Sequence, residues 1–136
     1  MRIGLVFASA SAVSNLAEFA KAIAQGMEAK GHRVDLLDAR TDDSRKLPGY
    51  EYVVIISEPL SFLSGKIPEV LPKFLNGASS LVGKKGAAFL RTSGPFSAKA
   101  MAALMRAMEK EGMWVNWSEM VANPAQAMAA AKRIGS

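Results

Sequence analysis

The 136-residue sequence contains no cysteine and only one histidine, His32. Without cysteine the chain cannot form a disulfide framework, a catalytic thiolate or a cysteine-ligated metal site. One histidine does not supply the cluster of imidazoles that histidine-rich metal sites need. No apolar run approaches the ~18 residues of a membrane span, so we expect no membrane-spanning segment. We predict no metal site and assign no catalytic side chain.

Acidic residues are the scarcer charged group, 12 against 17 lysines and arginines, which leaves a net charge of +5. Such a balance can favour an anionic partner, but the basic residues are dispersed along the chain. No dense basic run with interleaved aromatic residues occurs, so we expect no nucleic-acid binding. Arg2 and the apolar residues 3–8 resemble a secretion signal, but cleavage there would remove a predicted central strand. We therefore expect a cytoplasmic protein.

Apolar patterning predicts five strands that alternate with helices within a single domain, residues 1–136. The strands are Ile3–Phe7, Arg33–Ala39, Tyr50–Ser57, Ala87–Leu90 and Met113–Met120. The helices are Leu16–Met27, Ile67–Leu75, the segment between an N-cap at Ser97 and Glu111, and Ala125–Ile134, with Thr41–Gly49 a surface loop or short frayed helix.

This alternation requires a parallel sheet with right-handed crossovers and helices on both faces. The segments that begin at Arg2 and Tyr50 are the most apolar, so their strands should be central neighbours. The simplest arrangement is a three-layer, doubly wound α/β fold with strand order 2-1-3-4-5. Its topological switch point lies between strands 1 and 3, where ligands of such sheets bind.

Three loops should gather at the carboxyl edge of this sheet, Ser9–Asn15, Glu58–Lys66 and Arg91–Phe96. The first supplies hydroxyls at a helix N-terminus, which can hold an anion. The second supplies Phe62, which can lie against a flat ring, and the third supplies hydroxyls and a cation. The candidate binding residues are Ser9, Ser11, Ser14 and Asn15 of the first loop, Glu58, Pro59, Leu60 and Phe62 of the second, and Arg91, Thr92, Ser93 and Gly94 of the third.

Together the loops suit a phosphate at one end and a planar heterocycle at the other. Each element also has a simpler interpretation. The small residues of the first loop can be turn material. Phe62 can belong to a cluster that packs the loop, and Arg91 can be a solvated or paired surface cation.

Other doubly wound proteins lack support in these loops. A response-regulator receiver needs an acidic pair just after strand 1, where this chain has Phe7–Ser9. A dinucleotide-binding fold needs G-x-G-x-x-G in the first turn, which here contains no glycine, and a P-loop is also absent. Low-molecular-weight tyrosine phosphatases and cysteine-type phosphotransfer domains need a cysteine. A Ser/His/Asp triad is not credible with a single histidine in a distant turn.

The chain resembles the flavodoxin-like superfamily, which includes flavodoxins and NAD(P)H-dependent FMN reductases. The resemblance rests on the order of elements, on LVFASASAVSNLAEFAKAIAQGMEAKGHRVDLLDA, and on GKKGAAFLRTSG followed by a helix and EGMWV. It implies an FMN-binding redox protein, with the phosphate on Ser9, Ser11, Ser14 and Asn15. The flavin ring would lie between Glu58–Phe62 and Arg91–Gly94. The glycine of the flavodoxin phosphate loop is missing here, and Ser14 stands in its place.

The resemblance leaves two hypotheses. The first is a flavodoxin-like redox protein with a small-molecule or protein redox partner, or an NAD(P)H-dependent flavin or quinone reductase with NAD(P)H as transient donor. The second is a flavin-free binding or assembly module of the same fold. Trp114 and Trp117, predicted on opposite faces of the last strand, would then form the edge of a homodimer.

Overall fold

The structure, a computed structural model, describes residues 1–134 and contains one five-stranded sheet. The strands are β1 (Arg2–Ala8), β2 (Arg33–Asp38), β3 (Tyr52–Ser57), β4 (Lys85–Arg91) and β5 (Trp114–Val121). They pair in parallel in the order β2-β1-β3-β4-β5, which confirms the predicted fold class and strand order. The last two residues of the predicted 1–136 domain lie outside the described residues.

The helices are α1 (Leu16–Glu28), α2 (Val70–Gly77), α3 (Ser97–Lys110) and α4 (Pro124–Ala131), with a 3-10 helix at Ser44–Gly49. Helix α2 begins three residues later than predicted. This start puts Pro72 in the first turn of the helix. The N–H groups of a first turn have no acceptor within the helix, so proline removes no hydrogen bond there. None of these helices, which all lie in residues 1–134, combines the length and apolar character that a bilayer crossing requires.

The two central strands bury both of their faces, which explains their continuous apolar sequences. All six residues of β3 are buried. Leu5 and Val54 point into the core under α1 and α4, whereas Val6 and Ile55 point into the core under α2 and α3. The sheet is therefore the middle layer of three, and its carboxyl edge is left to the loops.

A β-bulge at Asn116 changes the predicted facing of the two tryptophans. Trp114 is opposite Lys85 in the register and Trp117 is opposite Ala87, because the pairing shifts by one residue between Gly86 and Ala87. Positions two apart on β4 share a face, so the two tryptophans lie on the same face of β5. The prediction of opposite faces is wrong because Asn116 is an extra residue in the bulge. It makes Trp114 and Trp117 equivalent to two positions that are two apart, and such positions share a face.

Candidate functional site

The three predicted loops meet at the carboxyl edge of the sheet and form an open crevice of about 400 Å³. It lies beside the switch point between β1 and β3, as the topology requires. Nine of the twelve predicted residues line it, namely Ser11, Ser14, Asn15, Glu58, Pro59, Leu60, Phe62, Arg91 and Ser93. The structure therefore brings most of the predicted residues together around one crevice.

The other three predicted residues have different surroundings. The Arg40 guanidinium donates to the Ser9 carbonyl at 2.6 Å and contacts its hydroxyl at 3.4 Å. The Thr92 backbone N–H donates to the Val121 carbonyl at 2.9 Å, so this part of the loop is tied to the end of β5. Gly94 contacts the neighbouring loop through its backbone. These residues support the walls of the crevice and do not line it.

Glu58 joins all three loops. Its side chain enters the protein at the end of β3, and the residue is only 5% exposed. One carboxylate oxygen, Oε2, accepts from the Ala10 backbone N–H and the Ser14 hydroxyl, both at 2.7 Å. The other, Oε1, accepts from the Arg91 guanidinium at 3.0 Å. A buried carboxylate with these charge-assisted bonds fixes the positions of the loops relative to one another.

Arg91 is a paired cation. Besides its bond to Glu58, its guanidinium carbon lies 5.2 Å from the centroid of the Phe19 ring on α1. An arginine at this distance from an aromatic face gains a cation–π interaction. Its side chain is still 31% exposed and lines the crevice, so it can touch a ligand.

The second and third loops touch through their backbones. Gly94 adopts a φ of +74°, and a Cβ there would overlap the carbonyl oxygen of Phe62. The second loop is itself closed by a bond of 2.8 Å from the Leu60 N–H to the Lys66 carbonyl. Only glycine satisfies both the positive φ and the close approach. Gly94 therefore sets the separation of the two loops.

Exposed apolar side chains surround the opening of the crevice. Phe62 is 65% exposed, so it is not a packed member of a loop cluster. Leu60 on the same loop is half exposed, and Val13 on the first loop is almost fully exposed. Scattered exposed apolar residues are ordinary, but several around one crevice indicate a surface for an apolar ligand or partner.

The first loop leads into α1 without side-chain capping by Asn15. The Ser14 hydroxyl oxygen accepts from the Leu16 N–H at 3.3 Å while its proton is donated to Glu58. The Ser14 N–H bonds the Ser11 carbonyl at 3.2 Å, which makes a tight turn. The exposed side chains of Ser11 and Asn15 are thus the hydroxyl and amide of this loop that face solvent.

Sequence reasoning missed several contributors. Ala10 acts through its backbone N–H, which no side-chain pattern reveals. Arg40 follows an edge strand, and its contact with the first loop depends on the pairing of β1 with β2. Val13 carried a usable signal, since an apolar residue in a turn of small polar ones is unusual.

FMN, the cofactor that the resemblance implies, has a ring and a phosphate that can be compared with these residues separately. The ring matches the apolar surface of Pro59, Leu60 and Phe62 and the hydroxyl of Ser93. The phosphate matches less well, because Glu58 already accepts from one backbone amide and one hydroxyl of the loop that should hold it. The residues present therefore fit a flavin ring better than they fit a phosphate.

The solved structures that share this fold include flavodoxins. Oxidised flavodoxin 1 from Bacillus cereus is 17% identical with a TM-score of 0.72, and the match covers 98% of this chain and 93% of that one. A flavodoxin from the domain Archaea is 23% identical with a TM-score of 0.72, covering 99% and 94%. Two-electron reduced Megasphaera elsdenii flavodoxin is 17% identical with a TM-score of 0.73, covering 96% and 98%.

No protein-family model matches the chain, and no curated protein is similar to it in sequence. At such low identities the structural matches concern the fold. This chain is a doubly wound α/β protein. Its fold is flavodoxin-like, as the sequence resemblance predicted.

Proposed function

We propose that this protein binds a flavin in the crevice between its three loops and acts as a redox protein of the flavodoxin type. The observation that carries the proposal is the crevice itself, about 400 Å³ at the switch point of a flavodoxin-like sheet. Its lining combines apolar surface with a few polar groups, as cofactor sites do. FMN is the flavin that the sequence resemblance implies, and the structural neighbours are flavodoxins.

A bound flavin supplies one- and two-electron chemistry, and the protein contributes binding and orientation. Phe62 and Leu60 offer apolar surface to the ring, and Ser93 offers a hydroxyl from the third loop. The charge of Arg91 is offset by its ion pair with Glu58, so we expect it to stabilise a negatively charged reduced flavin less than a free arginine would.

The test is a titration of the purified protein with flavins, followed by flavin fluorescence and the visible absorption band. We expect saturable binding at micromolar concentrations, with quenching of the flavin fluorescence. Phe62→Ala should weaken binding, because Phe62 lines the crevice. Leu63→Ala is a matched control, since Leu63 is an exposed neighbour on the same loop and is not part of the lining. No spectral change with any flavin would refute the proposal.

The electron donor and acceptor are a finer question within the same proposal. A small-molecule or protein redox partner and an NAD(P)H-dependent reductase activity both stay predictions. Oxidation of NADPH with a quinone or free flavin as acceptor separates them. Turnover above that of free flavin would indicate a reductase, and its absence would favour an electron carrier.

The flavin-free assembly module also stays a prediction. Trp114 is 61% exposed on β5, an outer strand of the sheet, and Lys85 Nζ lies 5.4 Å from its ring. If this strand joins two copies of the chain, Trp114→Ala should lower the mass measured by light scattering. An unchanged mass in the variant would contradict a dimer through this edge.

A further inference from the structure

A buried carboxylate occupies the place where the first loop would hold an anion. Glu58 is 5% exposed, and its Oε2 accepts from the Ala10 N–H and the Ser14 hydroxyl. Both donors belong to the segment that connects β1 to α1. A strand–loop–helix segment of this kind binds anions through such donors. Here the protein supplies its own anion from the end of β3.

An added phosphate would meet this negative charge at short range. A phosphate monoester carries close to two negative charges at neutral pH. The interaction of like charges falls only with distance and local dielectric, and it is weakly screened around buried groups. Arg91 offsets part of this charge from the Oε1 side at 3.0 Å, but Oε2 still accepts from the Ala10 N–H and the Ser14 hydroxyl, so both donors are already occupied when a phosphate approaches.

Arg40 is a cation that contacts the first loop directly. Its guanidinium donates to the Ser9 carbonyl, and the residue is exposed. Water and salt screen an exposed charge far more than a buried one. Glu58 therefore has a larger electrostatic effect than Arg40 on an anion near the donors of the first loop.

Part of the crevice lining lies outside the hydrogen bonds of this carboxylate. Phe62, Leu60 and Ser93 surround the space predicted for the ring, and none of the hydrogen bonds described for Glu58 involves them. Riboflavin has the same ring as FMN but carries no phosphate. We infer that Glu58 makes this crevice select riboflavin over FMN, an inference that rests on the proposed function.

The experiment compares riboflavin and FMN on the wild-type protein and on Glu58→Gln. We expect wild type to bind riboflavin at least about tenfold more tightly than FMN. Glu58→Gln keeps the shape and removes the charge, so its affinity for FMN should rise at least about tenfold while that for riboflavin changes less than about threefold. Glu51→Gln is the matched control, because it makes the same change of charge away from the crevice. Glu51 lies just before the first residue of β3 and accepts from the Arg2 N–H at 3.0 Å.

The possible outcomes separate the inference about Glu58 from the proposal that the protein binds a flavin. Tighter binding of FMN than of riboflavin by wild type overturns the inference and leaves the proposed function standing. An equal gain in FMN affinity in the Glu51→Gln control assigns the effect to net charge and also overturns it. Binding of neither flavin overturns the proposed function. Circular dichroism checks the fold of Glu58→Gln, and if the variant is unfolded the wild-type ratio alone decides.

Discussion

Replacing Gly94 by alanine should destabilise the protein and open the crevice. A Cβ at this position would approach the Phe62 carbonyl oxygen more closely than the 3.0 Å below which such contacts essentially never occur. The positive φ of +74° adds about 1 kcal/mol for a residue with a side chain. Forced overlap with backbone costs a further 1–3 kcal/mol, so we expect the free energy of unfolding to fall by about 2–4 kcal/mol. Urea unfolding followed by circular dichroism measures it.

Gly83→Ala separates the two contributions. Gly83 has a similar φ of +79°, but a Cβ there would have no neighbour within 4 Å. The free energy of unfolding of Gly83→Ala should fall only by the cost of the positive φ, about 1 kcal/mol. Equal losses in the two variants, within about 0.5 kcal/mol, would refute the idea that Gly94 sets the separation of the loops. Gly94→Ala should also weaken flavin binding, whereas Gly83→Ala should leave it unchanged.

Two further predictions concern groups away from the crevice. Burial raises the pKa of the Tyr52 phenol to about 12. In the unfolded chain the pKa of a tyrosine is about 10. The contribution of this group to the free energy of unfolding is therefore complete below about pH 10 and is lost between about pH 10 and 12. Ultraviolet titration of a Tyr50→Phe variant, which leaves one tyrosine, checks this, and a normal pKa would contradict it. Gly26→Ala would place a Cβ 2.5 Å from the Met128 carbonyl on α4, so it should cost about 1–3 kcal/mol in urea unfolding despite the better helix propensity of alanine. A stabilised variant would show that α1 and α4 can separate at no cost.

The strand order could be predicted because burial on both faces leaves a mark in the sequence. The continuous apolar residues of β1 and β3 allow only central positions, whereas the mixed pattern of β2 indicates an edge. Right-handed crossovers then leave few arrangements. The structure confirms that order.

Local patterns failed where pairing with another element decides the outcome. The bulge at Asn116 arises from the register between β4 and β5, and it brings Trp114 and Trp117 to one face. A count of residues along β5 alone cannot detect an inserted position. Ser97, predicted as an N-cap, is instead the first residue of α3, and its hydroxyl accepts from the Ser93 N–H of the preceding loop at 2.9 Å.

The sequence by itself determined that three loops meet at one edge of a doubly wound sheet, because parallel strands all end on the same side. Only the tertiary structure decided what those loops do to one another. Glu58 bonds Ala10, 48 residues away, and Arg91, 33 residues away in the other direction. Such partners depend on side-chain directions after the sheet has formed, and no periodicity encodes them. The hydroxyls of the first loop are visible in the sequence, but the carboxylate that one of them already binds is visible only in the fold.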